Sequence, residues 1–186
     1  MDEILDLKRR LCEQRPSSWE GMPDIALYMD QVLALLNRQT IRFGEDEGLT
    51  AAMINNYIKD GAAPRAAGKR YHENHLAYLT MISVLKQVLP VKDVTLLTRS
   101  WMDGGELPEQ YEKLCGALDE ALHSADDKLD SALDPAELAE TAVRFALLSY
   151  SYGLVSRRLT ALVRAQQEEG TAQEKHHRKK KDGQEA

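Results

Sequence analysis

The most informative segment of the sequence is residues 49–71, LTAAMINNYIKDGAAPRAAGKRY. Thr50 is a good N-cap for a short helix over about Ala51–Asp60, because its hydroxyl can accept a hydrogen bond from a first-turn backbone N–H. Gly61 is placed to end that helix, and Pro64 prevents the helix from resuming early. The segment therefore predicts a short helix followed by a basic turn that contains glycine and proline.

Apolar residues at helical spacing predict further helices on both sides of this segment. Before it, helices are predicted over about residues 4–12 and 24–39, the second one capped by Asp24. The buried side of that second helix is predicted to comprise Ile25, Leu27, Tyr28, Val32, Leu35 and Leu36. After the segment, a helix with one apolar face is predicted over residues 72–89, and a shorter helix over residues 91–101.

The second half of the chain predicts a helical hairpin. An acidic helix with apolar residues at steps of three and four covers about residues 107–132. The tetrapeptide Asp134-Pro-Ala-Glu137 resembles a capping box, so a last helix is predicted from Pro135 to about Gln167. That helix is predicted to bury Leu138, Ala142, Phe145, Tyr152, Val155, Leu159 and Leu162. The remaining residues, 169–186, lack large apolar side chains and predict a disordered basic tail.

Composition places the chain among mainly all-α proteins with a genuine hydrophobic core. Hydrophobic residues make up 43% of the 186 residues, whereas glycine and proline are sparse. The two cysteines have no partner spacing and no signal peptide precedes them, so a reduced, cytoplasmic protein is expected. The longest uncharged stretch, 145–156, has 12 residues, and about 20 are needed to cross a bilayer. No membrane association is therefore expected.

Charge is unevenly distributed along the chain, whose net charge is -6. Residues 49–102 carry seven basic and three acidic side chains, whereas residues 103–140 carry two basic and 12 acidic side chains. A local basic surface can bind phosphate within an acidic protein, because salt screens charges over about 8 Å. The middle of the chain is therefore suited to nucleic-acid binding.

The order of elements over residues 49–97 predicts a helix-turn-helix with a small wing. Asn55 and Asn56 on the short helix carry amides of the kind that pair with adenine, and Lys59 can meet phosphate or guanine. The segment that would form the wing carries two arginines and a lysine. Clustered cations in such a segment favour contact with DNA phosphates.

This part of the chain resembles the DNA-binding domain of the MerR family. The residues that match, in the order of the family, are Ile54, Tyr57, Gly61, Pro64, Arg65, Gly68, Arg70 and Tyr71. The resemblance implies a sequence-specific regulator of transcription that binds double-stranded DNA as a homodimer through its C-terminal helices. Residues 20–100 are also similar to an uncharacterised bacterial domain of unknown function. The predicted DNA-binding residues are Thr50, Asn55, Asn56, Lys59, Arg65, Lys69, Arg70 and Tyr71.

The residues also allow other interpretations of the domain, of the last helix and of the two asparagines. The helix-turn-helix scaffold could serve as a protein-protein interaction module without DNA binding, in which the acidic residues 103–140 recruit a basic partner. The hydroxyls of Tyr150 and Tyr152, in an otherwise apolar helix, would suit a small-molecule effector or simply local hydrogen bonds. Asn55 and Asn56 also suit a purely local role in capping the turn that follows.

The sequence predicts neither catalysis nor a cofactor. His72, Glu73 and His75 lie one helical turn apart, but no third or fourth metal ligand follows at a recognisable spacing. No nucleophile stands beside a base, and the carboxylates follow helix faces. We therefore expect a protein that is not an enzyme and holds no metal.

These elements predict four parts of the chain. They are an N-terminal helix at 1–19, a DNA-binding domain at 20–102, a helical hairpin for dimerisation or effector binding at 103–168, and the basic tail at 169–186.

Overall fold

The structure, a computed structural model, describes residues 2–43 and 48–182, and these residues form helices and connecting turns. The helices are α1 (Asp2–Glu13), α2 (Met29–Gln39), α3 (Ala51–Lys59), α4 (Glu73–Leu85), α5 (Val91–Met102), α6 (Leu107–Asp127) and α7 (Leu138–Asp182). A 3₁₀ turn, Pro135–Glu137, precedes α7. The prediction of a mainly helical protein is confirmed. Of the helices in the described ranges, none combines the length and the apolar character that a membrane span requires.

The chain divides into two units, Met1–Asp134 and Pro135–Ala186. The predicted hairpin of residues 103–168 spans both units, with α6 in the first and α7 in the second. The physical reason lies in the apolar side of α6, which packs against α4 and α5 and buries Tyr111 completely. The two helices were predicted to pair with each other, and their order in the sequence alone supported that prediction.

Helix α4 lies at the centre of the first unit. It contacts α2, α5 and α6, and it carries eight buried residues among its 13. The main core cluster comprises Leu27, Val32, Leu36, Leu49, Ile54, Tyr57, Ala62, Ala63, Tyr71, Leu76, Leu79, Ile82 and Val94. A second cluster, between α4, α5 and α6, comprises Ala77, Met81, Met102 and Tyr111. Helix α3 and the turn after it are thus attached to the same core.

Helix α1 is held to α6 by charged side chains rather than by buried apolar ones. The Lys8 ammonium lies 2.8 Å from the Asp126 carboxylate and also donates hydrogen bonds to two backbone carbonyls near the end of α6. The Arg15 guanidinium pairs with Asp119. Hydrogen bonds from Arg15 and Lys8 hold the pKa values of Asp119 and Asp126, respectively, below their usual range. Part of the acidic surface of α6 therefore has a structural role.

Helix α2 begins at Met29, so the prediction that it starts at Asp24 is wrong. Leu27 is extended instead and forms an antiparallel bridge with Tyr71, with backbone hydrogen bonds of 2.8 and 2.9 Å in both directions. This pairing joins residues far apart in the sequence. It requires extended backbone at Leu27, so the helix cannot begin before this residue. Ile25, predicted to be buried, is 65% exposed as a result.

Two further helices end earlier than predicted. Helix α4 ends at Leu85, after which the backbone turns through hydrogen bonds between residues three apart. Val88, predicted on the buried face, is 73% exposed in that turn. Helix α6 ends at Asp127, five residues before the predicted end at position 132, because the backbone N–H of Leu129 bonds to Asp126 and closes a turn.

Helix α7 differs from its prediction in exposure and in length. Leu138, Tyr152, Val155, Leu159 and Leu162 were predicted to be buried, but all five are exposed. The predicted capping box at Asp134–Glu137 is replaced by the 3₁₀ turn. Helix α7 continues to Asp182, into the segment that was predicted as a disordered tail. Residues 183–186 of the predicted tail lie outside the described part of the chain.

Candidate nucleic-acid interface

Helix α3 begins at the residue predicted from its sequence. The Thr50 hydroxyl accepts a hydrogen bond of 3.2 Å from the backbone N–H of Met53, as an N-cap does. Ile54 and Tyr57, one turn apart, are buried in the main core cluster and fix the inner face of the helix. Burial raises the pKa of the Tyr57 hydroxyl above its usual range. The N-cap and the two buried residues together set the position of α3.

Helix α3 ends in a Schellman motif centred on Gly61. The backbone N–H of Ala62 donates to the carbonyl of Tyr57 at 2.8 Å, and that of Gly61 donates to Ile58 at 3.1 Å. Gly61 has φ 77°, in the left-handed region that glycine adopts without strain. Ala62 is fully buried directly after it. The predicted helix stop is confirmed, and the motif turns the chain back onto the core.

The outward face of α3 carries Asn55, Asn56 and Lys59. All three are exposed, and the described residues offer them no hydrogen bond or ion pair through their side chains. Ala52 lies on the same side of the helix and is also exposed. The local capping role considered for the two asparagines is filled instead by Gly61. Helix α3 thus exposes two amides and an ammonium group to solvent, whereas its other face is buried in the core.

The basic turn after α3 is a tight two-residue turn between Ala67 and Arg70. Gly68 and Lys69 have φ values of 59° and 61°, and the Arg70 N–H donates to the Ala67 carbonyl at 3.1 Å. Positive φ at both central residues is the mark of a type I′ turn, which matches the twist of a β-hairpin. The turn is therefore a minimal hairpin. Tyr71, the residue directly after it, is held by two backbone hydrogen bonds to Leu27 of the core.

The cations of this segment point to solvent. Arg65, Lys69 and Arg70 are all exposed. The Arg70 guanidinium lies 4.5 Å from the centre of the Tyr28 ring, a cation-π contact that limits its range of positions. Tyr28 was predicted to be buried, and its role was missed because the contact depends on the unpredicted pairing of the neighbouring residue Leu27.

His75 attaches the hairpin segment to the start of α4. Its side chain is buried; Nδ1 accepts a hydrogen bond of 3.1 Å from the His72 N–H, and Nε2 lies 3.3 Å from the Arg65 carbonyl. Because Nδ1 accepts, the proton of the neutral ring is on Nε2, where it is donated to Arg65. Of the two histidines considered for a metal, His75 uses its ring in these contacts, whereas His72 contributes its backbone N–H. Within the described residues, no group of three or more metal-ligating side chains is found.

The eight predicted contact residues fall into two groups. Six of them present exposed side chains and share one supporting core, namely Asn55, Asn56, Lys59, Arg65, Lys69 and Arg70. Thr50 is exposed, but its hydroxyl is used in capping α3. Tyr71 is only 5% exposed and lies in the core, where burial raises its pKa. Tyr71 is therefore a packing residue. The six exposed residues define what we call the α3-hairpin surface.

Tyr150 and Tyr152 on α7, considered above for an effector, are both exposed.

Comparisons with known proteins identify a family for the first unit. A family model described as "Domain of unknown function (DUF1836)" matches residues 17–114, just over half of the chain. The matched range contains α2 to α5 and the start of α6, together with the whole α3-hairpin surface. Searches of characterised proteins and of solved structures found no match. The chain therefore belongs to the DUF1836 family of domains of unknown function.

Proposed function

We propose that this chain is a sequence-specific transcriptional regulator that binds double-stranded DNA through a MerR-like winged helix-turn-helix and acts as a homodimer. The observation that carries the DNA-binding proposal is the outward face of α3. Asn55, Asn56 and Lys59 are exposed and unengaged there, whereas the opposite face is fixed by Ile54 and Tyr57. A helix whose position is fixed and whose polar groups are free meets the requirement for reading base edges in a groove.

The dimensions of α3 suit the major groove. An α-helix with its side chains is about 10–12 Å in diameter, and the major groove of B-DNA is about 12 Å wide. Asn55 and Asn56 would contact base edges, whereas Lys59 would contact guanine or phosphate. Helix α2 precedes α3 and packs against it. In the proposed helix-turn-helix, α2 would be the first helix.

The hairpin would contact the DNA backbone as a wing. Lys69 and Arg70 stand at its tip, and Arg65 precedes it. Each phosphate that such a cation neutralises adds about 0.9 to the slope of log affinity against log salt concentration. The wing would therefore supply affinity and orientation rather than base specificity.

The test is selection from randomised duplex DNA at two salt concentrations, with the wild type and an Asn55→Ala, Arg70→Ala variant. We expect the wild type to enrich a two-fold symmetric site and to bind it less tightly at higher salt, and we expect the variant to lose that site. Lys113→Ala, which removes an exposed cation from α6, is the matched control and should bind as the wild type does. If the wild type binds no duplex even at low salt, the proposal is refuted, and an interaction module becomes the better explanation.

The homodimer proposal rests on a seam of residues along α7. Leu138, Thr141, Phe145, Leu148, Tyr152, Val155, Leu159 and Leu162 follow one another at alternating steps of three and four. This is the heptad pattern of a coiled coil, and none of the eight is charged. Five of them are exposed, and at about half exposure they leave on the order of 500 Å² of apolar surface per copy. Two copies would bury about 1,000 Å², the area that a specific interface needs.

Multi-angle light scattering tests the dimer at micromolar concentration. We expect twice the mass of 20.9 kDa for the wild type and a monomer for Leu159→Glu, which places a carboxylate in the seam. Leu147→Glu is the matched control, because Leu147 is equally exposed but lies outside the seam. A monomeric wild type would overturn the homodimer and leave the DNA-binding proposal standing on its own test.

A further inference from the structure

A cleft opens beside α3, on the edge of the α3-hairpin surface. It has a volume of about 470 Å³ and lies between α3 and the turn that joins α4 to α5. Met53, Asn56 and Lys59 contribute to one wall, and Lys86, Leu89 and Val91 contribute to the other. The volume lies within the range of about 300 to 1,000 Å³ that is typical of small-molecule sites.

Both walls of the cleft expose large apolar side chains. Val91 is 52% exposed and Met53 is 38% exposed. Leu89 also lines the cleft and is partly buried against the main core cluster. Apolar side chains that remain open to water around a concave site gain stability when an apolar group covers them. The walls therefore favour a ligand with an apolar body.

The charges in the cleft favour an anion. Two lysines, Lys59 and Lys86, line the cleft beside one aspartate, Asp60. The Lys86 ammonium donates a hydrogen bond of 2.8 Å to the Gly48 carbonyl, which holds that charge in place. The Lys59 side chain has no partner among the described residues and stands ready to bind an acidic group.

We infer that this cleft binds a small amphipathic organic anion, of the class of a medium-chain or aryl carboxylate. Its apolar part would lie against Met53, Leu89 and Val91, and its carboxylate would meet the Lys59 ammonium. A ligand in this position covers Asn56 and Lys59, so it competes with DNA for α3. Competition with DNA rests on the proposed function, whereas ligand binding does not depend on it.

The first measurement uses decanoate and a fluorescent anion, anilinonaphthalene sulfonate, with the full chain. We expect the fluorescence of the dye to rise on binding and to fall when decanoate displaces it. Val91→Asp should weaken decanoate binding by about ten-fold or more, because it places a carboxylate in the apolar wall. Folding tolerates this change, since an acidic side chain is favourable in the first turn of a helix such as α5. Ile25→Asp, at an exposed apolar residue that does not line the cleft, is the matched control and should bind as the wild type does.

A second variant tests the charged end of the site. Lys59→Gln should weaken decanoate binding by about ten-fold and leave binding of the neutral alcohol decanol unchanged, because only the acid pairs with the ammonium. Equal losses for both ligands would overturn the assignment of an anion. Wild-type binding of decanoate by Val91→Asp would place the ligand elsewhere and overturn the site, as would a wild type that binds no decanoate.

Competition with DNA is then measured separately. Decanoate should weaken DNA binding by the wild type but not by Val91→Asp. Unchanged DNA affinity in the presence of saturating decanoate would overturn the competition. A wild type that binds decanoate and no DNA would refute the proposed function and leave the ligand site supported.

Discussion

Replacing Lys69 with glycine should make the first unit more stable and weaken its binding to DNA. Lys69 is the non-glycine residue with positive φ within the described ranges, at 61°. An L-residue in this region costs about 1 to 2 kcal/mol, since its Cβ approaches the following carbonyl. Glycine escapes that cost but loses about 0.5 to 1 kcal/mol more conformational entropy on folding. The Lys69 side chain has no partner in the described structure, so nothing else is lost. With the middle of each range, the net gain in the free energy of unfolding is about 0.75 kcal/mol.

Urea denaturation followed by tryptophan fluorescence measures this gain. Both tryptophans of the chain, Trp19 and Trp101, lie in the first unit, so the signal reports on that unit. With an m-value of about 2 kcal/mol per molar urea, the midpoint should rise by about 0.3 to 0.5 M. Lys113→Gly, the same substitution inside α6, is the control and should lower stability by about 1 kcal/mol. A midpoint for Lys69→Gly below that of the wild type would refute the conformational argument.

The same variant then separates folding from binding. If Lys69 contacts phosphate, its loss should reduce the slope of log affinity against log salt concentration by about 1 and weaken binding to all sequences alike. A protein that is more stable and binds less tightly cannot owe its weaker binding to unfolding. An unchanged salt slope would remove Lys69 from the DNA contact.

Three further predictions concern the framework of the first unit. Tyr111→Phe should lower the free energy of unfolding by about 1 kcal/mol, because the hydroxyl donates a hydrogen bond of 2.8 Å to the Ser17 carbonyl; urea denaturation checks this value. His75→Ala should lower it by about 2 kcal/mol or more, since a buried ring and two hydrogen bonds are lost, and an unaltered midpoint would show that the brace carries no stability. Because the folded-state pKa values of Asp119 and Asp126 are lowered, the stability they contribute is present above about pH 4 and is lost as pH falls through those lower values. Asp119→Asn should flatten this dependence in denaturation curves measured from pH 6 to pH 3, and a variant that keeps the full dependence would contradict the assignment.

Much of the neighbourhood of α3 was predictable because its signals are local. These signals act within a few residues and can be recognised without knowledge of the rest of the chain. They are the N-cap at Thr50, the helix stop at Gly61 and the interruption by Pro64. The side chains that α3 exposes follow from the same helical period that buries Ile54 and Tyr57. This segment was predicted as a basic turn and as a small wing, but its two-residue turn at Gly68 and Lys69 was not predicted, since Lys69 is an unusual residue for the left-handed conformation.

Sequence patterns alone established the helical class, most helix positions and the polar face of α3, because helical period, caps and helix stops are properties of neighbouring residues. Tertiary structure decided which apolar faces meet. The bridge between Leu27 and Tyr71 shortens α2, and packing on α4 draws α6 into the first unit. Tertiary structure also decided that the seam of α7 is exposed. It formed the cleft beside α3 as well, from side chains more than 25 residues apart in the sequence. An apolar period shows that a face needs a partner, but the partner is selected by contacts between distant parts of the chain.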